Sequence, residues 1–448
     1  MNTAFNKFAG FLSVLSLLCA LCVSCQMKED DLFDVDPANR ADAWMADYRR
    51  VFNNNEYGWA LYTDNPTTRH PAVYTYAVKF DQQYSTFYRT SGTGNIPGVN
   101  GIDSVKSMYS FKMDNGIVLS FDTYNGFFHY FADQTQYFSQ DMQGDFEFCL
   151  DRYSENEDTI FGRGKTKQLP FVMIKLPVSA RDYQEATDSI KSNYAPYDCS
   201  FVCAGDTLPA RFFSGYQNLS IWMEDDDPRL DGHLFSYGNL VGGIYFLEPV
   251  EYKGFIIKEM HINADQSGYD DICGNASIIP KPFANYFMQD EEYDSRFFGY
   301  SALGSYTKGE WDKAREALKN SGKYNPEGLA YVCVSTDGFG GLELIFNMWY
   351  GSGEIHFPME MKKVSNNEIA LKWTGKESHG LGFNVYDAGF KYFVDAFAPK
   401  DEWRTYVISP KSGSKMSPGE LMLTDKSNPD NSFYFPKNHR YYHYSIWE

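Results

Sequence analysis

Met108-Tyr109-Ser110-Phe111-Lys112-Met113 runs into Asp114-Asn115-Gly116, and Ile117-Val118-Leu119-Ser120-Phe121 leaves it. Apolar and polar residues alternate on the way in, the period of a strand with one buried face. An Asn-Gly between apolar runs marks a tight hairpin, because both central residues of such a turn must accept positive φ. The same grammar recurs on both sides. Tyr74-Thr75-Tyr76-Ala77-Val78-Lys79-Phe80 and Asp145-Phe146-Glu147-Phe148-Cys149-Leu150 alternate. A second hairpin is spelled by Gly243-Ile244-Tyr245-Phe246-Leu247, Pro249, Tyr252-Lys253-Gly254 and Phe255-Ile256-Ile257. Aromatics make up 17% of the chain, with 34 Tyr and 36 Phe, and these side chains suit pleated, half-buried surfaces. The expected fold is mainly β with a few helices (α+β).

Those helices have their own signals. Asp36 can cap a first helix and Pro37 suits its first turn. Trp44, Met45, Tyr48, Val51 and Phe52 then form one apolar stripe, and Asn53-Asn54-Asn55 stops it. A second helix is expected from Ser179 to Asn193. A third is expected to open on the capping box Thr307-Lys308-Gly309-Glu310, to carry Trp311, Ala314 and Leu318 inward, and to close at Gly322.

The sequence also echoes itself. Asp114 to Phe121 resembles Asp337-Gly-Phe-Gly-Gly-Leu-Glu-Leu-Ile-Phe346, and Gly144 to Phe148 resembles Gly353-Glu-Ile-His-Phe357. Ile160 and Ile369 follow each final Phe at equal distance, then Gly164-Lys165 and Gly375-Lys376, then helix candidates at Ser179–Asn193 and Asp387–Phe397. This predicts two related antiparallel β-sheet-plus-helix halves, sandwich- or barrel-like, at 37–200 and 201–448.

The first residues carry an address. Lys7 precedes an apolar run from Phe8 to Val23, which ends in Cys22-Val23-Ser24-Cys25. That layout reads as a signal peptide over 1–24, its apolar run shorter than the ~20 residues of a spanning helix. The stretch resembles the lipobox of bacterial lipoproteins, with Cys22 where that pattern usually has Leu. The resemblance implies that Cys25 is the acylated, palmitate-type first residue of the mature protein. Residues 25–36, beginning Cys25-Gln26-Met27-Lys28-Glu29-Asp30-Asp31, form an acidic tether. It is similar to the export signal that sends Bacteroidetes lipoproteins to the outer face of the outer membrane. Two or more acyl chains, at ~0.8 kcal/mol per buried methylene, would hold such a protein stably.

The formal charge of −19 argues against a nucleic-acid partner, whose phosphates need a basic footprint. It argues equally against a broad basic surface for anionic lipids. Setting aside Cys25 and the two cysteines of the signal peptide, Cys19 and Cys22, leaves Cys149, Cys199, Cys203, Cys273 and Cys333, an odd set that cannot pair completely. Mostly buried thiols are expected.

Tyr57-Gly58-Trp59, Phe121-Asp122-Thr123-Tyr124-Asn125, Gly144-Asp145-Phe146-Glu147-Phe148 and the block from Gly243 to Gly254 resemble a family of Bacteroidetes surface lipoproteins of unknown function. Such proteins often accompany SusC/SusD-like import systems. The resemblance implies a surface accessory that captures a nutrient or assists its uptake.

Chemical motifs are sparse. His439 and His443 are four apart, but zinc wants three or four ligands. Asn263, Asp265, Ser267 and Gly268 are spaced as in a calcium loop, yet its twelfth position is Gly274 where a bidentate Glu belongs. A polar turn accounts for it, and calcium is the one cofactor the sequence raises. The acidic run Glu224-Asp225-Asp226-Asp227 reads as a solvated loop. There is no Gly-x-Ser-x-Gly elbow, and Ser335-Thr-Asp-Gly-Phe-Gly-Gly341 lacks the Lys of a phosphate loop. No catalytic residue, metal ligand or ligand-binding residue is assigned.

Three readings of function remain. The first is a non-enzymatic ligand-capture or accessory component of an outer-membrane uptake system, with Trp59, Trp222, Trp349 and Trp373 as candidate stacking platforms. The second is a surface hydrolase of glycans, which would need two carboxylates across a cleft. The third is a structural subunit of a transporter complex, which would show a broad apolar patch.

Overall fold

The structure, a computed structural model, describes residues 36–66, 71–88, 103–114, 116–127, 129–132, 144–196, 198–224, 226, 232–287, 296–324, 329–336, 342–348, 353–379 and 384–436. Cys25, His439, His443 and Trp349 lie outside them.

Helix α1 (Pro37–Asn53) opens the described chain, with the Asp36 carboxylate accepting from the Ala38 N–H at 2.8 Å. It leads into β1 (Trp59–Pro66), β2 (Pro71–Phe80), β3 (Tyr84–Tyr88), β4 (Ser104–Met113), β5 (Ile117–Phe121), β6 (Glu147–Tyr153), β7 (Thr159–Gly164) and β8 (Pro170–Lys175). Each strand pairs antiparallel with the next, and β8 returns to β1, closing an eight-stranded barrel. A barrel of eight strands is just wide enough for side chains to fill. Here Phe148 stacks on Phe171 at 4.3 Å and Phe87 meets Phe121 edge-on at 5.1 Å. Helix α1 adds Tyr48, Val51 and Phe52 to that core, Phe52 lying 4.8 Å from Phe80 and 5.2 Å from Phe111. Each such burial is worth about 1.5–3 kcal/mol.

Helix α2 (Ala180–Asn193) follows, its Ser179 hydroxyl accepting from the Asp182 N–H. A second closed barrel then forms from β9 (Asp198–Cys203), β10 (Asp206–Phe213), β11 (Asn218–Ile221), β12 (His233–Leu240), β13 (Gly243–Tyr252), β14 (Phe255–Ile262), β15 (Tyr269–Asp271) and β16 (Ala276–Pro280). The β13–β14 turn is the expected one, with Lys253 and Gly254 at φ of 46° and 87°. Cys199 and Cys203 point into this barrel as buried free thiols, while Cys273 is exposed.

The third unit is a nine-stranded sheet: β17 (Arg296–Phe298), β18 (Leu329–Thr336), β19 (Leu342–Met348), β20 (Gly353–Ser365), β21 (Glu368–Trp373), the short β22 (Ser378–His379) beside β20, β23 (Arg404–Gly413), β24 (Pro418–Asp425) and β25 (Ser432–Pro436). It packs on α3 (Ser305–Ser321) and α4 (Lys391–Phe397), with Trp311 4.9 Å from Phe393 and Phe397 5.0 Å from Phe433. Gly389, at φ 151°, is needed where the turn before α4 meets α3. A Cβ there would stand 2.8 Å from the Ala317 Cβ.

The fold is thus mainly antiparallel β with few helices. The span 201–448 holds most of the second barrel and the whole third sheet. Helix α3 begins at Ser305 with Gly304 at its cap, two residues before the expected box. Thr307 turns instead to the Asn431 side chain at 2.9 Å, and Glu310 to Lys313 at 2.6 Å, so tertiary partners displace the local cap.

The units are docked through specific contacts. Both Tyr62 and Tyr183 donate to the Asn239 carbonyl at 2.7 Å, and the Tyr62 ring lies flush on Gly238. From the third unit, the β23–β24 tip inserts Met416 fully buried into the second barrel's core. Ser414 donates to the Asn193 carbonyl and Lys415 to the Asp265 carbonyl at 3.0 Å.

Candidate functional site

A cleft of about 640 Å³ lies where α2 leaves the first barrel, lined by Tyr57, Lys79, Tyr88, Asp103, Arg181 and Gln184 among others. Its geometry follows from Tyr57-Gly58-Trp59. Trp59 is fully buried and its indole N–H donates to the Phe52 carbonyl at 3.0 Å, which ties β1 to α1. Gly58 sits at φ 96°, where a Cβ would come within 2.5 Å of the Val78 carbonyl oxygen. Only glycine fits that close approach. With Trp59 pinned inside and the backbone turned at Gly58, Tyr57 is left 39% exposed on the cleft wall. Its N–H is held by the Asn55 side chain at 3.1 Å.

Beside it, the Lys79 ammonium donates to the Glu56 carbonyl at 2.7 Å. Across the cleft, Arg181 and Gln184 stand on the first turns of α2, and Arg181 pairs with Glu185 at 3.3 Å. The lining combines two phenol rings, an amide, two cations and two acids. Aromatic faces with a few polar groups are the usual make-up of a small-ligand site.

The sequence-flagged groups fall elsewhere. Trp59 and Trp373 are core, and Trp222 is half-buried beneath the Arg211 guanidinium, 5.7 Å from its ring. Residues 263–268 form the turn joining β14 to β15, and the rest of the Asn263–Gly274 segment is β15 and the turn after it. Asn263 Oδ1 accepts from the Ser267 N–H at 2.9 Å, and Asp265 Oδ1 from the Ser267 hydroxyl at 2.6 Å. Within the acidic run, Glu224 pairs with Lys253 at 2.7 Å and Asp226 with His233 at 3.2 Å. Among the described residues no cluster of three His, Cys, Asp or Glu is placed to hold a metal. Tyr57, Lys79 and Tyr88 were not singled out as binders. The available signal was a glycine between two aromatics at the start of a strand, which asks for a turned backbone and hence for one ring in and one ring out.

Among the described residues, several carboxylates outside the cleft are held in ion pairs. Lys165 holds Glu147 below its ordinary range at 2.9 Å, with Lys112 on its other side. Lys253 does the same for Asp206 at 2.7 Å. Asp395 is different: burial raises it, partly offset by the Tyr386 hydroxyl 2.8 Å away.

Among the described residues no helix is long and apolar enough to cross a membrane. No curated protein matches the chain. Among solved structures, a double mutant of Transferrin Binding Protein B from Haemophilus parasuis Hp5 aligns over 86% of this chain and 75% of its own, at 9% identity and a TM-score of 0.15. Caulobacter crescentus pol III beta aligns over 90% and 98%, at 10% identity and a TM-score of 0.14. Scores this low carry no argument about fold or function. A family profile described as "Domain of unknown function (DUF4302)" matches residues 29–264, which takes in α1, the first barrel and most of the second. That is more than half of the sequence, and the chain belongs to the DUF4302 family.

Proposed function

We propose that this protein is a cell-surface lipoprotein, anchored in the outer membrane through Cys25, that captures a ligand without altering it and serves a nutrient-uptake system of the SusC/SusD type. The observation that carries the reading is the cleft in which Gly58 and Trp59 fix Tyr57 among Lys79, Tyr88 and Arg181. Rings held by the fold lose little freedom on binding, which favours capture. The leader and lipobox at 1–25 and the acidic tether support the address. The tether would end at Asp36, the cap of α1, so the anchor would pull directly on a helix packed into the first barrel.

Two experiments test it. Cells fed an alkyne palmitate analogue should label the wild type and not Cys25→Ser. Calorimetric titration of the mature protein with glycans, peptides and haem should find a ligand whose affinity falls about tenfold in Tyr57→Ala. No label on the wild type would remove the anchor. No ligand, or equal binding by the variant, would remove the cleft.

One observation favours a second reading, a surface glycan hydrolase. A glycosidase acid has a carboxyl whose pKa is raised by its surroundings, and burial shifts Asp395 in that direction beside the Tyr386 hydroxyl at 2.8 Å. Release of reducing ends by the wild type and not by Asp395→Asn would establish that reading in place of capture.

A further inference from the structure

Two of the sequence blocks unused by the cleft, Phe121-Asp122-Thr123-Tyr124-Asn125 and Gly144-Asp145-Phe146-Glu147-Phe148, meet on the first barrel. Phe148 goes to the core, whereas Phe146 is 43% exposed and Tyr124 is 63% exposed. Between them stands His129, its ring centroid 5.3 Å from Phe146 at an interplanar angle of 25° and 5.5 Å from Tyr124 at 38°.

The stack is fixed from beneath. The Asn125 N–H can only donate, so His129 Nδ1 accepts it at 3.1 Å. The Phe121 carbonyl can only accept, so His129 Nε2 carries the proton and donates at 3.1 Å. The imidazole is therefore neutral, and burial lowers its pKa further. Asn125 is itself fully buried, with its Nδ2 donating to Ser107 Oγ at 3.2 Å and its Oδ1 accepting from the Phe127 N–H at 3.0 Å. Phe127 and Tyr130 anchor the same loop in the barrel core. Directly after β5, Asp122 Oδ1 accepts from the Lys112 ammonium at 3.0 Å and from the Ser120 hydroxyl at 2.8 Å.

We propose that the Tyr124–His129–Phe146 stack is a binding platform for the ring face of a neutral sugar. Aromatic faces are electron-rich and attract the polarised C–H face of a pyranose, while its hydroxyls need donors and acceptors at the margin. Lys112 and Asp122, whose side chains are 48% and 32% exposed, supply a donor and an acceptor. The charge of −19 opposes phosphate or uronate ligands. Because His129 lies between them, the exposed rings are Tyr124 and Phe146, and two rings are far below the ~800 Å² per side of a stable protein interface. A platform already locked by hydrogen bonds loses little entropy when a ring settles on it. The proposal extends the capture reading to a separate site and names its ligand class.

The test is affinity gel electrophoresis of the full mature chain through amylopectin, galactomannan, xyloglucan and a mixed-linkage β-glucan, with polygalacturonate as the anionic comparison. At least one neutral polysaccharide should retard the wild type. Tyr124→Ala and Phe146→Ala, both at exposed positions, should each weaken that retardation about tenfold while melting like the wild type. Tyr306→Ala, at an exposed aromatic position on α3, should leave it unchanged. Retardation that survives Tyr124→Ala but disappears in Tyr57→Ala would overturn the platform and leave the cleft standing. Retardation by no neutral polysaccharide, or by polygalacturonate alone, would overturn the sugar assignment.

Discussion

Gly58 and Asp425 show how much single positions decide. Alanine at 58 must adopt a backbone disfavoured for side chains and press on the Val78 carbonyl at 2.5 Å. A loss of about 1–3 kcal/mol is expected from the strain, read as a lowered melting temperature. Asp425 is almost fully buried and takes the Arg404 guanidinium at 2.6 Å. Burial pushes its pKa up, but the Ser427 and Asn431 hydrogen bonds and the Arg404 charge outweigh that and hold it below the ordinary value. The folded pKa thus lies below the unfolded one, about 3.9. The stabilisation is complete above that value and is lost as pH falls through the lower, folded value. Asp425→Asn should be about 3 kcal/mol less stable at pH 7 and should lose this part of the acid dependence, as measured by denaturant melts from pH 7 to 2. At this scale sequence tells which residue types are present and which face they share. It does not give height along a barrel. Phe146 and Phe148 share a face by alternation, yet Phe148 is fully buried and Phe146 passes the rim into water.

Local chemistry made the elements legible. Helix α2 runs from Ala180 to Asn193 behind Ser179, and α1 from Pro37 to Asn53 behind Asp36, because the cap is a contact within three residues. The β4–β5 and β13–β14 hairpins were legible for the same reason. What needed distant partners was not. Thr307 was free to cap only until Asn431 and Ser432 arrived at the start of β25. The return of β8 to β1 depends on pairing across more than a hundred residues, so sandwich and barrel stayed open until the register was seen. The β23–β24 tip is another such element: nothing local marks Met416 as the core residue of a different unit. Met416→Ala should cost about 2–5 kcal/mol and speed amide exchange in residues 413–417 and in the second barrel together. Fast exchange in the tip alone would mean that it is not a structural plug.

Across the whole molecule, the internal echo corresponds to shared strand register. Leu119 pairs with Phe148 and Leu344 with Phe357, all four fully buried, and Ile160 and Ile369 each sit in the strand that follows. Around these matching meanders the surroundings differ, a closed barrel in one case and a sheet packed on two helices in the other. Sequence showed the repeat of a local pattern but not how many sheets the remaining strands would make. The barrels are held together by side chains with no tolerance for bulk. A Cβ on Gly238 would fall 2.3 Å from the Tyr62 ring. Gly238→Val should separate the barrels, seen as a larger radius of gyration in solution scattering, and an unchanged radius would show that the interface can adjust.

The central claim is capture without chemistry in the Tyr57 cleft. Its most direct test is native mass spectrometry of the protein isolated gently from the cells that make it, as wild type and as Tyr57→Ala. The expected result is an intact ligand mass on the wild type that is depleted in the variant. Equal occupancy in both, an unliganded wild type, or a wild type carrying only cleaved fragments would contradict it.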